Sequence, residues 1–168
     1  MANQTLPRAL LSPKTVALVG ASSDPDKNTG RPQRFLKSHG FKGLVIPINP
    51  NRKEVQGLTA YPSLRETPTP IDHVFIMVPS NQVPAVIADC AEAQVSVATI
   101  YTDGFAERGS NGVKLQSEIV RIAQEGNVRL IGPNSMGIID TRSHLTLTIN
   151  AFLEDSNLEV GRIGVISQ

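Results

Sequence analysis

Short, mostly apolar runs recur along this 168-residue chain, and each ends at a glycine, a proline or a polar cluster. Runs of four to six residues that are apolar at successive positions predict strands buried on both faces, as in a parallel sheet covered by helices. The predicted strands are Val16–Gly20, Leu44–Ile48, His73–Val78, Val97–Tyr101 and Val128–Ile131.

Segments with helical spacing of apolar residues lie between these strands. They predict helices over Arg31–Ser38, Asn81–Ala93 and Asn111–Gln124, with Gly40 and Gly126 expected to end the first and the last. Strands alternating with helices indicate right-handed βαβ units. The predicted fold class is therefore α/β, a Rossmann-type doubly wound, mostly parallel sheet with helices on both faces.

The C-terminal part of the chain is less regular. Leu145–Ile149 alternates apolar and polar residues, and Ile163–Ser167 is a last strand-like run. Because ligands of doubly wound sheets bind outside the carboxyl ends of the strands, the residues that follow each strand are the candidates for a functional site.

The segment after the first predicted strand resembles an altered dinucleotide-binding turn. Ser22 occupies the position of the second glycine of the usual G-x-G-x-x-G pattern, and the loop before Gly30 is longer than usual. A strand, a glycine turn and a helix N-terminus favour an anion such as phosphate, although a plain turn with a solvated loop would explain the same residues. The candidates are Gly20, Ala21, Ser22, Ser23, Lys27, Asn28 and Arg31.

The segment after the second predicted strand, Asn49-Pro50-Asn51, continues into Arg52 and Lys53. An NAD-binding fold normally has an acidic residue here for the adenosine ribose hydroxyls, and this chain has none. The two cations suit a ribose phosphate, which NADP carries on the 2′ position and coenzyme A on the 3′ position. A solvated helix start explains the same pair equally well.

The other strand ends are also small, polar and marked by glycine or proline. They comprise Val78-Pro79-Ser80, the segment 102–107 and the segment 132–137. Turn chemistry explains each segment taken singly. Their recurrence at successive strand ends favours loops that close around a long ligand.

Composition narrows the possible functions. A net charge of +1 without long runs of one sign argues against a nucleic-acid or membrane-surface binder. The single cysteine, Cys90, precludes an internal disulfide, and the histidines show no metal-like or catalytic spacing. Without a signal-peptide pattern, the expected location is the cytoplasm, and we predict neither a metal site nor a catalytic residue.

Several segments together resemble the coenzyme A-binding domain of NDP-forming acyl-CoA synthetases, the superfamily that includes the succinyl-CoA synthetase α subunit. The matching segments, in order, are S-P-K-T-V-A-L-V-G-A-S (12–22), P-I-N-P-N (47–51), M-V-P (77–79), T-D-G-F-A-E (102–107) and I-G-P-N-S-M-G (131–137). The resemblance extends over nearly the whole chain, and it implies coenzyme A as the cofactor.

The resemblance also implies roles by position. The loop from Gly20 to Arg31 would wrap the pyrophosphate and pantetheine, and Asn49–Arg52 would border the adenosine 3′-phosphate. Val78, Pro79 and Ser80 would pack on adenine or pantetheine. The remaining positions implied near the ligand are Phe105, Glu107 and, close to the thiol, Asn134.

In that family a carboxylic acid, coenzyme A and a nucleoside triphosphate give acyl-CoA, nucleoside diphosphate and phosphate. The phosphohistidine and ATP-grasp domains follow in the same enzyme, so residues 1–158 are expected to form the coenzyme A domain, alone inactive, and 159–168 to begin the next. Two alternatives stay open: an NADP- or NAD-binding oxidoreductase or redox-sensing domain, and the coenzyme A-binding part of a CoA-linked protein acetyltransferase.

Overall fold

The computed structural model describes residues 5–154 and 158–167. The strands are β1 (Thr15–Val19), β2 (Leu44–Ile48), β3 (Glu54–Val55), β4 (Leu58–Thr59), β5 (His73–Ile76), β6 (Val97–Ile100), β7 (Arg129–Ile131), β8 (Gly137–Asp140) and β9 (Leu145–Thr148). The helices are α1 (Leu6–Leu11), α2 (Arg31–Ser38), α3 (Val83–Glu92) and α4 (Ser110–Glu125). Short 3-10 turns lie at Leu64–Glu66, Ser80–Gln82, Ala106–Arg108 and Ala151–Glu154.

A parallel five-stranded sheet in the order β2-β1-β5-β6-β7 forms the centre of the molecule. The chain moves outward from β1 to β2, then crosses back to β5 and continues in the opposite direction. This doubly wound order reverses between β1 and β5, which makes the crevice above these two strands the topological switch point. The predicted α/β doubly wound fold is confirmed.

Two apolar layers cover the sheet. One face packs against α3 and α4, with fully buried residues such as Ile87 and Ile119. The other face packs against α2 and the antiparallel β8–β9 hairpin, through Leu36, Leu145 and Leu147. The alternating run at 145–149 is therefore buried, because its hairpin and α2 together cover this face of the sheet.

The ends of two helices show how glycine is used differently at similar positions. Gly40 has a φ of 79° and ends α2 as predicted, since a left-handed residue turns the chain away from the helix axis. Gly126 instead has a φ of −88°, and Asn127 takes the left-handed position with a φ of 56°. A Cβ atom at Gly126 would lie 2.2 Å from Ala91 Cβ, so this glycine permits the close approach of α3 and α4.

Several elements differ from the sequence prediction. α1, the β3–β4 hairpin and β8 were not predicted, because each is too short to show a periodic pattern. The strand predicted over Ile163–Ser167 was wrong: its large apolar side chains are 84% exposed or more, and no neighbouring strand pairs with it in the described residues. None of the described helices is long and apolar enough to span a membrane.

Candidate functional site

The crevice above β1 and β5 lies where the N-termini of α2, α3 and α4 meet the carboxyl edge of the sheet. In a parallel α/β fold the helices run opposite to the strands, so their N-termini lie at this edge. Unsatisfied amide groups and the helix dipoles make this edge favourable for an anion. The sequence candidates all follow strands that end here.

Gly20 brings the end of β1 close to the end of β5. Its φ is 86°, and a Cβ atom would lie 3.0 Å from the carbonyl oxygen of Met77. The Gly20 amide donates to the carbonyl of Ile48 at 3.1 Å, which ties the turn to β2 as well. A side chain at this position would therefore be strained and would also press on the backbone of the neighbouring strand end.

The segment 21–30, here called the β1–α2 loop, is compact. The Ser22 amide donates to the Thr29 carbonyl at 3.1 Å and closes the base of the loop. A Cβ atom at Gly30 would lie only 1.9 Å from the carbonyl oxygen of Asp24, so the loop folds directly onto this glycine. Asn28 Nδ2 lies 3.4 Å from the hydroxyl of Tyr101, which follows β6, so the loop reaches across the edge.

The predicted cations of this loop differ in their surroundings. Arg31, at the start of α2, donates from Nη1 to Asn28 Oδ1 at 3.0 Å and pairs through Nε with Glu154 at 3.3 Å. Arg34 shares the same carboxylate at 3.2 Å. Lys27 is exposed and forms no ion pair within the described residues. Arg31 is therefore positioned but partly neutralised, whereas Lys27 is free to turn toward a ligand.

The segment after β2 joins the same crevice. Asn49 Nδ2 donates to the Ala21 carbonyl at 3.1 Å, and the Asn51 amide donates to Asn49 Oδ1 at 2.9 Å. Asn49 thus links the two neighbouring strand ends. The exposed side chains of Arg52 and Lys53 form no ion pair within residues 5–154, which leaves both charges available for an anionic ligand.

A cavity of about 320 Å³ opens at the carboxyl ends of β1 and β2. Ligand pockets range from roughly 300 to 1,000 Å³, so this volume suits one part of a long ligand rather than all of it. Apolar and hydrogen-bonding groups are mixed in its wall. Its lining includes Gly20, Asn49, Pro50, Asn51, Pro62, Val78 and Gln82.

A larger cavity, of about 580 Å³, lies at the opposite edge of the sheet. It is lined by residues of α1 and of the C-terminal part of α4, among them Leu6, Val120 and Gln124. The C-termini of α3 and α4 face this edge, and the negative end of the helix dipole disfavours an anion. The predicted phosphate chemistry therefore fits the smaller cavity.

The ends of β5 and β6 pack directly on each other. Thr102 Oγ1 donates to the Val78 carbonyl at 2.6 Å. Gly104 has a φ of 99°, and a Cβ atom there would lie 2.9 Å from Ser80 Oγ. Val78 lines the 320 Å³ cavity, whereas the neighbouring Pro79 is exposed at the rim.

The structure gives Phe105 and Glu107 supporting roles. The Phe105 side chain is fully buried in the core, so it cannot contact a ligand in the crevice. Glu107 Oε1 accepts the amides of Gly104 at 2.5 Å and Phe105 at 3.1 Å. These backbone hydrogen bonds, with that of Gly104 first, lower the pKa of the Glu107 carboxyl. The carboxylate therefore holds the turn after β6 in shape.

Asn134 lies on the loop after β7 and adopts a left-handed backbone with a φ of 56°. Its backbone N–H donates to the Thr102 carbonyl at 3.0 Å, which ties this loop to the neighbouring strand end. The Asn134 side chain is exposed. The described residues contain no group of His, Cys, Asp and Glu that could hold a metal ion. Cys90 is buried, and burial raises the pKa of its thiol.

The sequence prediction missed Gln56, in the turn of the β3–β4 hairpin. Its Nε2 donates to the carbonyls of Ser22 at 2.8 Å and Gly30 at 3.0 Å, the two ends of the β1–α2 loop. Gly57 was the available signal in the sequence, because glycine is common in tight hairpin turns, whereas the positive φ of Gln56 is visible only in the structure.

Comparison with known proteins adds to this geometry. Residues 14–141 match the family model described as a CoA binding domain. Acetate–CoA ligase [ADP-forming] II of Archaeoglobus fulgidus is 35% identical over 96% of this chain, which spans 24% of that protein. The α subunit of acetate–CoA ligase [ADP-forming] II of Pyrococcus furiosus is 36% identical over 88% of this chain, which spans 32% of that subunit.

A solved structure shows the same fold. The apo form of the dinucleotide forming acetyl-coenzyme A synthetase 1 of Candidatus Korarchaeum cryptofilum matches with a TM-score of 0.81 and 41% identity. The match covers 86% of this chain and 31% of the solved chain. The chain thus spans about a quarter to a third of the length of these relatives.

Proposed function

This chain belongs to the CoA binding domain family, and on that premise we propose that its carboxyl-edge crevice holds coenzyme A for a nucleoside diphosphate-forming acyl-CoA ligase. Coenzyme A is the ligand of this family, and the related proteins are ADP-forming ligases in which the matching region is one part of a longer chain. We propose both which residues bind the cofactor and which reaction the whole protein catalyses.

The observation that carries the proposal is the compact β1–α2 loop, which starts beside the switch-point crevice and reaches Tyr101 beyond β6. The loop closes on Gly30 without room for a Cβ atom, and Gly20 leaves none between β1 and β5. Such tight backbone allows amide groups to approach a pyrophosphate directly. The residues present therefore fit a long anionic ligand at this edge.

We assign the parts of coenzyme A by the chemistry of the surrounding groups. The cavity beside Pro50, Pro62 and Val78 would take the adenosine, because its wall combines apolar rings with amide groups. Arg52 and Lys53 would bind the 3′-phosphate at its rim. Continuing across the edge, the proposed contacts to pyrophosphate and pantetheine are Gly20, Ala21, Ser22, Ser23, Lys27, Asn28, Arg31 and Ser80.

In the whole protein we propose that a carboxylic acid, coenzyme A and a nucleoside triphosphate give acyl-CoA, nucleoside diphosphate and phosphate. The domain would contribute by positioning, since a thiol held in one orientation reacts far faster than a free one. The described residues show no catalytic constellation, so the domain alone is expected to turn nothing over. Asn134, on the loop after β7, would lie toward the thiol end.

Further domains are part of the same proposal. We propose that residues 159–168 begin a following domain, because the large apolar side chains at 163–166 have no partner in the described residues. Phosphohistidine and ATP-grasp domains, in the same chain or in a partner subunit, would supply the acyl phosphate. The cytoplasmic location stays a prediction.

Titration calorimetry with coenzyme A tests the binding proposal, with NADPH as the matched control because it also carries a ribose phosphate. We expect a one-to-one complex with coenzyme A and much weaker binding of NADPH. If millimolar coenzyme A gives no heat of binding and does not compete with any other ligand, the proposed site is wrong. For the reaction, the longest natural chain containing this domain is assayed for nucleoside diphosphate release that requires both an acid and coenzyme A.

A further inference from the structure

One side chain from outside the β1–α2 loop binds residues near both of its ends. Gln56 Nε2 reaches the carbonyl oxygens of Ser22 at 2.8 Å and Gly30 at 3.0 Å. Because both partners are carbonyl groups, the nitrogen rather than the oxygen of this amide must face them. The two N–H groups of the Gln56 side-chain amide therefore each bind a carbonyl near one end of the loop.

The hairpin that carries Gln56 is itself anchored. Val55 is fully buried in the core, and its carbonyl accepts a hydrogen bond from the buried Gln33 Nε2 of α2 at 2.8 Å. Gln56 adopts a left-handed backbone with a φ of 47°, which is unfavourable for a residue with a Cβ atom. The side chain is thus presented from a rigid base in a conformation that local preference alone would not select.

The bond to Ser22 sets the direction of a neighbouring amide. In a trans peptide the carbonyl of Ser22 and the N–H of Ser23 point in opposite directions. With the carbonyl held by Gln56, the Ser23 N–H faces away from the hairpin, and no described residue accepts a hydrogen bond from it. This amide is a free donor on the loop that follows β1.

We infer that Gln56 is a positioning residue for coenzyme A, which fixes the β1–α2 loop so that the Ser23 amide is presented to the pyrophosphate. The inference rests on the proposed function and extends it to a residue that would not contact the cofactor. Loss of Gln56 would allow the Ser22–Ser23 peptide to rotate, and the ordering of the loop would then have to occur on binding.

The test uses Gln56→Glu, which has nearly the same shape but replaces the two donors with an acceptor facing two carbonyl oxygens. Gln94→Glu is the matched control, because Gln94 has the same left-handed backbone with a φ of 55° and is exposed beyond the end of α3. We expect coenzyme A to bind about tenfold or more weakly to the first variant and within about twofold of wild type to the second.

Two readouts separate positioning from a general loss of structure. Dephospho-CoA shares the pyrophosphate, so Gln56→Glu should lower the affinities for coenzyme A and dephospho-CoA by the same factor, leaving their ratio unchanged. Amide exchange at Ser22 and Gly30 should quicken while exchange in β1 stays slow. Gln56→Lys, which restores a donor of similar reach, should recover part of the affinity, compared with Gln94→Lys.

Gln56→Asn is the second variant, for use if the glutamate variant does not fold. Asparagine tolerates left-handed backbone, but its side chain is one methylene too short to bridge the loop. The inference is overturned if a folded Gln56 variant binds coenzyme A as wild type does, or if its loop exchange is unchanged. If wild type itself fails to bind coenzyme A, the proposed function fails, whereas loop exchange still shows whether Gln56 holds the loop.

Discussion

Polar groups lie at both the carboxyl and the amino edge of the central sheet, but they differ in their burial and in their partners. At the amino edge, Asp72 Oδ2 accepts the amides of Lys14 and Thr15, and His73 Nε2 lies 2.7 Å from Thr99 Oγ1. These hydrogen bonds are made within the protein, although the buried Nδ1 of His73 makes none with the described residues. At the carboxyl edge, the Ser23 amide and the charges of Arg52 and Lys53 have no partner among the described residues.

Cavity size does not distinguish the edge that we propose to bind the ligand. The larger cavity lies at the amino edge, with about 580 Å³ against about 320 Å³. Helix polarity and unpaired donors instead distinguish the two edges, because the N-termini of α2, α3 and α4 lie at the carboxyl one. The polar groups named at the amino edge bond within the fold, whereas we propose that the unpaired ones at the carboxyl edge bind a ligand.

Two glycine substitutions should show the largest difference between the edges. In Gly30→Ala the new Cβ atom would lie 1.9 Å from a backbone oxygen, so the β1–α2 loop must move. We expect a loss of more than about 3 kcal/mol of stability, or a rearranged loop, and loss of measurable coenzyme A binding.

Gly40→Ala is the matched control at the amino edge, since its φ is 79° but nothing lies within 4 Å of the new Cβ atom. Backbone strain alone should remove about 1 kcal/mol, with coenzyme A affinity unchanged. Chemical denaturation and calorimetry measure both effects, and equal effects of the two substitutions would contradict the distinction between the edges.

Lowering the pH should reduce the free energy of unfolding through His73, which lies at the amino edge. Burial lowers the pKa of His73 from 6.5 to about 4, only partly offset by the Ala9 backbone and Asp72. Because the unfolded chain takes up this proton first as the pH falls below about 6.5, the stabilisation present at neutral pH is lost between about 6.5 and 4. The loss should approach about 3 kcal/mol.

His73→Asn keeps a polar partner for Thr99 but does not titrate in this range. Urea denaturation of the wild type and this variant at several pH values checks the effect. The difference in unfolding free energy between them should shrink as the pH falls from 6.5 to 4. A constant difference would show that His73 does not carry the pH dependence.

The 3′-phosphate contact gives a smaller effect at the carboxyl edge. If Arg52 binds this phosphate, coenzyme A should bind more tightly than dephospho-CoA by about 1.5–3 kcal/mol, the range of a charge-assisted hydrogen bond. Arg52→Gln should abolish most of this preference. Arg65→Gln is the control and should not, because Arg65 is a cation already paired with Asp89 and Glu92. Equal affinities of the wild type for the two ligands would leave Arg52 as a solvated surface residue.

Cys90 should show no response in the native state. Its thiol is fully buried on α3, and burial raises the thiol pKa, so little reactive thiolate is available. A thiol reagent should label the native protein only as fast as it unfolds, and denaturant should expose one thiol per chain. Rapid labelling without denaturant would show that the core opens locally.

Most of the long elements could be predicted from the chain alone. α2 begins and ends at the predicted residues, Arg31–Ser38, because its apolar face, its early proline and Gly40 agree with one another. The β3–β4 hairpin could not be predicted from periodicity, since each strand has only two residues. Phe105 shows the same limit for the site: the order of residues did not reveal that its side chain faces the core.

By itself the sequence determined the alternation of strands and helices, the doubly wound class and the strand ends that are candidates for a ligand site. These follow from short-range patterns, which apolar spacing and glycine conformation set locally. Only the tertiary structure decided that Gln56 meets Ser22 and Gly30, that Asn28 reaches Tyr101, and that Arg31 pairs with Glu154. Such contacts join residues far apart in the chain, and only the packing of separate elements against one another brings them within hydrogen-bonding distance.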